Sequence, residues 1–295
     1  MFLKSKQIDN ILNLKKCNLC PRNCGVDRTA KKLGYCKASD DIYIASQNLH
    51  FGEEPPISGI DGSGAIFFSH CNLGCIFCQN YPISHLGNGK KITIEELSLI
   101  MLKLQSKKAH NINFVTPSHY SNQIVKSILK AKRNGLKIPI VYNCSGYESK
   151  NVLDFLNKEN IVDIYLVDMK YGFDELAKKY SNVDNYVEIN KVVIQTMLDK
   201  VGYLELDEYR IAKKGLIIRH LMLPNNIENT KKVLDILSDI VDVKKVHISF
   251  MSQYHKAYLS NNFPEINRKL FESEYKEGVA YLDKKGFENG WLQNF

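Results

Sequence analysis

Three cysteines share one short run, Cys71-Asn-Leu-Gly-Cys75-Ile-Phe-Cys78, a C-x3-C-x2-C spacing. Three thiolates on one tight loop can hold three irons of a [4Fe–4S] cube and leave the fourth free to take another ligand. An open iron is a place for chemistry. The competing uses of such a run are a disulfide and a zinc knuckle. Structural zinc takes four ligands, commonly from paired C-x2-C hooks, and this triad offers three. The eight cysteines come without the apolar stretch of an export signal near the N-terminus, where Asp9, Asn10 and Asn13 interrupt it. That argues for metal ligation rather than disulfides, and for a reducing cytoplasm.

A second set lies upstream. Cys17, Cys20, Cys24 and Cys36 are spaced C-x2-C-x3-C-x11-C. Four ligands close a site, which could be structural zinc or an auxiliary [4Fe–4S] cluster, and the residues leave both open. Either metal would help stabilise a segment too short to build its own core. The eighth cysteine, Cys144, falls at the end of a strand-like run. Its thiol could donate a hydrogen atom or ligate metal there, although a buried cysteine ordinarily serves as a small hydrophobe.

The elements that must position these residues read as alternating strands and helices. Apolar runs at Ala65–Ser69, Ile112–Thr116, Ile138–Asn143, Ile161–Lys170, Gly215–Leu223 and Val246–Met251 are short and rich in Ile, Val, Phe and Tyr, as strands covered on both faces should be. Helical patterns separate them, including one opened by Thr93 with acids in its first turn and one from Ser121 to Asn134 closed by Gly135. Strict alternation implies a parallel sheet with right-handed crossovers. Six units fall short of the eight that close a barrel. The expected fold is α/β, a partial (β/α)6 TIM-type barrel, residues 61–295, preceded by a small cysteine-rich metal-binding segment, residues 1–60.

In such folds functional side chains gather where strands run into loops. The expected ends are polar: the cysteine loop, Thr116-Pro117-Ser118-His119, Asn143-Cys144-Ser145, Asp168-Met169-Lys170, Arg219-His220 leading to Leu223-Pro224-Asn225, and Met251-Ser252-Gln253-Tyr254-His255. Six in series at one rim point to a common pocket.

The cysteine spacing after a strand, with Phe77 just before the last cysteine, resembles that of the radical SAM enzymes. Across nearly the whole chain the sequence resembles the PflX-type radical SAM proteins, relatives of pyruvate formate-lyase activating enzyme. The matching segments are Cys-Pro-Arg-Asn-Cys (20–24), Gly-Glu-Glu-Pro-Pro-Ile-Ser-Gly (52–59), Gly-Ser-Gly-Ala-Ile-Phe-Phe (62–68), Cys-Gln-Asn-Tyr (78–81), Asn-Phe-Val-Thr-Pro-Ser-His (113–119), Tyr-Asn-Cys-Ser-Gly-Tyr (142–147), Arg-His-Leu-Met-Leu-Pro (219–224) and Met-Ser-Gln-Tyr (251–254).

The resemblance implies a [4Fe–4S] cluster on Cys71, Cys75 and Cys78 whose open iron is chelated by S-adenosylmethionine (SAM). Reductive cleavage would give a 5′-deoxyadenosyl radical that abstracts a hydrogen atom. It also implies SAM contacts. Activating enzymes carry Gly-Gly-Glu-Pro after their second strand, where this chain has Thr116-Pro117-Ser118-His119, so the Thr116 and Ser118 hydroxyls are the expected substitutes. Asn143 and Asp168 match positions near the SAM carboxylate. Lys170 is expected to contact that carboxylate, and Arg219 to do likewise or to hold the ribose. The implied substrate is another protein, as in glycyl-radical enzyme activation, with an electron donor such as flavodoxin or ferredoxin. Radical chemistry on a small molecule and a non-enzymatic iron–sulfur electron carrier are the alternatives.

Composition agrees with a globular chain. Its 295 residues are 44% hydrophobic and 24% charged, with no apolar run near the ~18 residues of a membrane span. The formal net charge is +8, but lysine pairs recur from Lys15-Lys16 to Lys284-Lys285 without clustering. That argues against a nucleic-acid footprint.

Overall fold

The computed structural model describes residues 5–294. The chain opens with helix α1 (Ser5–Ile11), the cysteine-rich turns, strand β1 (Ile42–His50) and the short α2 (Pro55–Ser58). Strand β2 (Ser63–Phe68) then runs into the second cysteine loop, followed by α3 (Tyr81–Ser84), β3 (Lys90–Ile92) and α4 (Ile94–Ser106). The αβ alternation continues with β4 (Ile112–Val115), α5 (Ser121–Arg133), β5 (Ile140–Cys144), α6 (Lys150–Lys158) and β6 (Ile164–Asp168). Two helices follow, α7 (Asp174–Ser181) and α8 (Tyr186–Val201), then β7 (Glu205–Leu206), β8 (Ala212–Leu221), α9 (Ile227–Ile240), β9 (His247–Met251), α10 (Glu272–Lys284) and β10 (Asn289–Leu292).

One sheet holds nine of these strands in the order β10-β9-β8-β6-β5-β4-β2-β1-β3, with β7 hanging on β8. The central six, β2-β4-β5-β6-β8-β9, are parallel throughout. They are the six strands expected from the apolar runs, and the ends of the row do not meet. The fold is therefore mixed α/β, a partial TIM-type barrel open on one side. The edges were not foreseen: β1 pairs antiparallel with β2 and with β3, and β10 adds in parallel to β9.

Local chemistry accounts for the helix ends. The Thr93 hydroxyl accepts from the Glu96 amide and the Glu96 carboxylate accepts from the Thr93 amide, a reciprocal cap on α4 worth about 1 kcal/mol. Gly135, just past α5, takes φ +97°, a conformation costly for other residues.

Strand alternation divides the core. Outward residues such as Phe114, Tyr142, Tyr165 and Ile218 pack under the helices in the main core. Inward residues Val141, Ile164, Leu166 and Ile217 pack in the barrel interior with Ile57 of α2. A third cluster, Leu73, Phe77, Tyr147, Tyr171, Tyr180, Tyr186 and Tyr254, surrounds the Cys71–Cys78 loop at the strand ends. Cys144 belongs to the main core, 1% exposed, so the small-hydrophobe reading describes its surroundings.

Candidate functional site

Cysteines 71, 75 and 78 sit on the loop after β2, held from several sides. Burial, and next the neighbouring Cys75, push the Cys71 thiol up. Burial raises Cys75 to about 11, while the Lys170 ammonium pulls it down. The three sulfurs thus feel one another. Each also has a polar neighbour: the Leu73 amide donates to Cys71 Sγ at 3.4 Å, Ser181 Oγ lies 2.9 Å from Cys75 Sγ, and Ser84 Oγ lies 3.2 Å from Cys78 Sγ. Such contacts to sulfur order and tune metal-bound thiolates. The loop backbone is pinned as well. The Gly74 amide donates to Ser181 O, the Ile76 amide to Tyr180 O, and the Asn72 side-chain amide to Tyr147 O.

A cavity of about 230 Å³ opens beside this loop. Its walls bring Cys75, Phe77 and Cys78 against Asp168, Lys170 and Arg219, with Met251, Gln253 and Tyr254 from beyond β9. The charged residues are linked. Lys170 Nζ is 2.5 Å from Asp168 Oδ2, and Arg219 Nε donates to Asp168 Oδ1 at 2.8 Å. Arg219 Nη2 also donates to Asn143 Oδ1 at 2.5 Å. Burial works against each charge, but Arg219 and Lys170 together hold the Asp168 carboxyl below its ordinary range. Asp168, and then Cys75, hold Lys170 above its own despite the same burial. An ammonium anchored by a carboxylate beside a thiol loop suits a ligand that carries an anionic group next to metal-bound sulfur.

The expected contacts are therefore partly assembled. Asp168, Lys170 and Arg219 line the cavity, and Asn143 lies behind Arg219. Thr116 and Ser118 do not line it. Ser118 is fully buried, and its hydroxyl donates to Glu148 Oε1 at 2.6 Å instead of facing the rim. Glu148 also accepts from the Tyr142 hydroxyl at 3.0 Å, and burial raises its carboxyl to about 7.

Sequence reasoning missed Glu53 and Glu54. Glu53 Oε2 lies 3.6 Å from Arg219 Nη1, and both acids help keep Arg219 charged, after Asp168. Their signal was two adjacent acids before a Pro-Pro pair in an otherwise apolar stretch.

The upstream cysteines form the second set. Burial, then Arg22's backbone and the charges of Cys36, Glu148 and Cys17, bear on Cys20, whose thiol stands at about 12. Cys36 in turn feels Arg28, Cys17 and Cys24. Backbone bonds Cys17–Val26 and Gly25–Cys17 close the turn that carries three of the four. Arg22, inside this turn, donates from Nε to the Asn72 carbonyl at 3.1 Å and so ties it to the other cysteine loop. Its guanidinium lies 3.5 Å from the centre of the Tyr35 ring.

All eight thiols are free, and among the described residues no three His, Cys, Asp or Glu side chains already converge as a metal-ligating group. The donor chemistry nonetheless fits: three mutually interacting soft ligands on one loop beside a cavity suit an iron–sulfur cluster, and four suit a closed site.

Larger cavities lie elsewhere. The one of about 850 Å³, bordered by Pro55, His110, Tyr209 and Trp291, opens at the opposite strand ends and contains no cysteine. No helix among the described residues is long and apolar enough to cross a membrane.

Comparison with known proteins gives these features a context. The sequence profile of the Radical SAM superfamily matches residues 65–200, from β2 through the cysteine loop to the end of α8. The chain is 26% identical over 249 residues to a pyruvate formate-lyase-activating enzyme of Clostridium pasteurianum, covering 74% of this chain and 93% of that one. Among solved structures, SuiB of Streptococcus suis bound to S-adenosylmethionine superposes with a TM-score of 0.50 at 11% identity, over 76% of this chain and 48% of that one. The chain thus spans about half the length of the first solved structures it matches, and at such identity the likeness speaks to fold alone. An uncharacterized protein of Methanocaldococcus jannaschii is 30% identical over 280 residues, 92% of this chain and 75% of that one. With this relative and the profile match together, the chain belongs to the radical SAM superfamily, whose members are enzymes that use a [4Fe–4S] cluster and S-adenosylmethionine.

Proposed function

We propose that Cys71, Cys75 and Cys78 hold one [4Fe–4S] cluster and that the neighbouring cavity receives the methionyl end of SAM. The observation that carries this reading is the meeting of Cys75 and Cys78 with Asp168, Lys170 and Arg219 around one small cavity. Its volume of about 230 Å³ lies below the usual range for a whole ligand pocket, so the nucleoside end extends along the open rim. When bound, the cluster and SAM supply one-electron chemistry and a hydrogen-abstracting radical.

The chain's own residues do the positioning. Lys170 Nζ binds the ligand's carboxylate, Asp168 fixes that ammonium and accepts from Arg219, and Asn143, Glu53 and Glu54 fix the guanidinium. Thr116, half-buried at the end of β4, remains an acceptor for the ligand amine. Phe77 and Tyr254, ring centres 5.8 Å apart, help exclude water from the loop. Geometry of this kind is the protein's main contribution when the reactive species attacks C–H bonds unselectively.

The hydrogen donor in this reading is another protein, as in the activation of a glycyl-radical enzyme. Its support is the relative named as an activating enzyme and the open side of the barrel, which leaves the rim accessible to a loop of a large partner. A small iron–sulfur or flavin protein such as ferredoxin or flavodoxin supplies the electron in the cytoplasm, drawn to a chain of net charge +8. Residues 1–60 form the metal-binding segment, with zinc or an auxiliary [4Fe–4S] cluster on Cys17, Cys20, Cys24 and Cys36, and residues 61–295 the catalytic barrel.

Electron paramagnetic resonance of the reduced, anaerobic full-length protein tests this reading. Addition of SAM should change the cluster signal of the wild type. An unchanged signal at saturating SAM would mean that SAM does not reach the cluster.

A further inference from the structure

We infer that Arg28 is the built-in counter-ion of the N-terminal thiol set, so that Cys17, Cys20, Cys24 and Cys36 take their metal as an all-thiolate centre of net negative charge. The inference rests on the reading above that these cysteines bind a metal, and it adds the charge state of the site and the residue that balances it.

The starting point is a cation with no anion. Arg28 is 1% exposed, the first of the large side chains that are completely enclosed. Its donors reach backbone carbonyls: Nε and Nη2 donate to Ser39 O at 3.1 and 2.5 Å, and Nη1 to His119 O at 2.6 Å. Carbonyls satisfy its N–H groups but leave the charge. No carboxylate among the described residues forms an ion pair with it. Arg219, half-buried at the cavity, stands instead among Asp168, Glu54 and Glu53. An unpaired buried charge is among the costlier features a fold can carry.

The side chains that do face Arg28 are few. Cys17 Sγ lies 4.0 Å from Nη1. The guanidinium also acts electrostatically on Cys36, His70, His119 and Tyr120. The histidines can only be neutral or positive, and a buried tyrosine stays protonated. Only the thiols can supply the missing negative charge. Four thiolates on a divalent ion carry two net negative charges, and a tetrathiolate [4Fe–4S] centre is likewise anionic. One arginine against either leaves a site that water and surface lysines can finish balancing.

An independent detail suggests that the chain is fitted around these sulfurs. A side chain on Gly34 would place its Cβ 2.5 Å from Cys24 Sγ, so the backbone before Cys36 runs directly against the Cys24 thiol and leaves no room for a larger residue.

The test uses the full chain with Cys71, Cys75 and Cys78 replaced by alanine, so that only the N-terminal set can bind metal. This parent should retain one zinc, or four irons, per chain. Arg28→Met should weaken metal retention in chelator competition by about tenfold or more, the size expected for losing a charge-assisted contact, while Arg28→Lys should keep most of it. A folded Arg28→Met protein that holds metal as tightly as the parent would overturn the inference. If Arg28→Met does not fold, cobalt(II) in the parent decides the matter. Sulfur-to-cobalt charge-transfer bands of four thiolates are expected, and bands of two or fewer would contradict an anionic centre. A folded parent that binds neither zinc nor iron would overturn the metal reading itself, and the inference with it.

Discussion

The two cysteine sets of this protein stand in opposite surroundings. The Cys71–Cys78 loop has three thiols, hydroxyl neighbours on two of them, a cation–carboxylate pair at Lys170 and Asp168, and a cavity. The upstream set has four thiols, and its cation, Arg28, is sealed among backbone carbonyls. A cation that faces a cavity can meet a ligand; one enclosed with thiols can only balance what the protein itself holds. On the function proposed above, the difference separates a site left open for chemistry from one closed for structure. Arg22 joins them, through the Asn72 carbonyl.

If that contrast holds, emptying the two sites should have different consequences. Replacing Cys17, Cys20, Cys24 and Cys36 by serine should lower stability by more than about 4 kcal/mol, the range reached when a structural metal is lost. Replacing Cys71, Cys75 and Cys78 by alanine should cost far less stability. Denaturant unfolding of both variants decides it, and equal losses would erase the distinction.

Glu148 lies between the regions, acting on Cys20 and accepting from Ser118. Burial raises its carboxyl from 4.5 to about 7 in the folded chain. Below the unfolded value both states are protonated and its contribution is fully present. As pH rises toward 7 the unfolded carboxyl ionises first, and that contribution is lost. Between pH 4.5 and 7 this should remove about 3 kcal/mol of stability. Glu148→Gln should remove that pH dependence, measured as unfolding free energy at pH 5 and pH 8. An unchanged slope would show that the carboxyl titrates normally.

At the open site, Lys170→Ala should weaken SAM binding by about 1.5–3 kcal/mol, or about 10- to 150-fold, by calorimetry, and leave the cluster spectrum intact. Asp168→Asn should weaken it in the same direction by loosening Lys170. Unchanged affinity in both would mean that SAM is held elsewhere on the rim. The smallest effect is expected at the link between the sites. Arg22→Met removes a stacking contact with Tyr35 and one hydrogen bond, and should cost about 1–2 kcal/mol of stability with both metals retained.

Much of this contrast was legible in the sequence because ligands on one loop are neighbours in the chain. Cysteine spacing reads directly, as do the six strands covered on both faces. The sheet edges were illegible for a physical reason. β1 has one short apolar run, Ile42-Tyr43-Ile44-Ala45, before its exposed stretch Ser46-Gln47-Asn48, β3 is two exposed lysines and an isoleucine, and β10 contains Gly290, so none offers a long apolar run. The last helix begins only at Glu272, beyond the turn that carries Glu265. The Glu265 carboxylate instead accepts from the Tyr180 hydroxyl and pairs with Lys179, holding the preceding turn against the rim. Lys170 and Asp168, two positions apart where β6 ends, could be foreseen as a pair. Ser118 could not be placed, because its partner Glu148 lies thirty residues away and draws its hydroxyl into the core. A far longer separation hid Glu53 and Glu54 from Arg219.

The central claim is that the Cys71, Cys75 and Cys78 loop is the open site. It is tested most directly by incubating dithionite-reduced, anaerobic full-length protein with SAM and measuring 5′-deoxyadenosine. The account predicts slow formation of 5′-deoxyadenosine and methionine by the wild type and by the upstream Arg22→Met variant, and none by Cys75→Ala. Production by Cys75→Ala at the wild-type rate would contradict it.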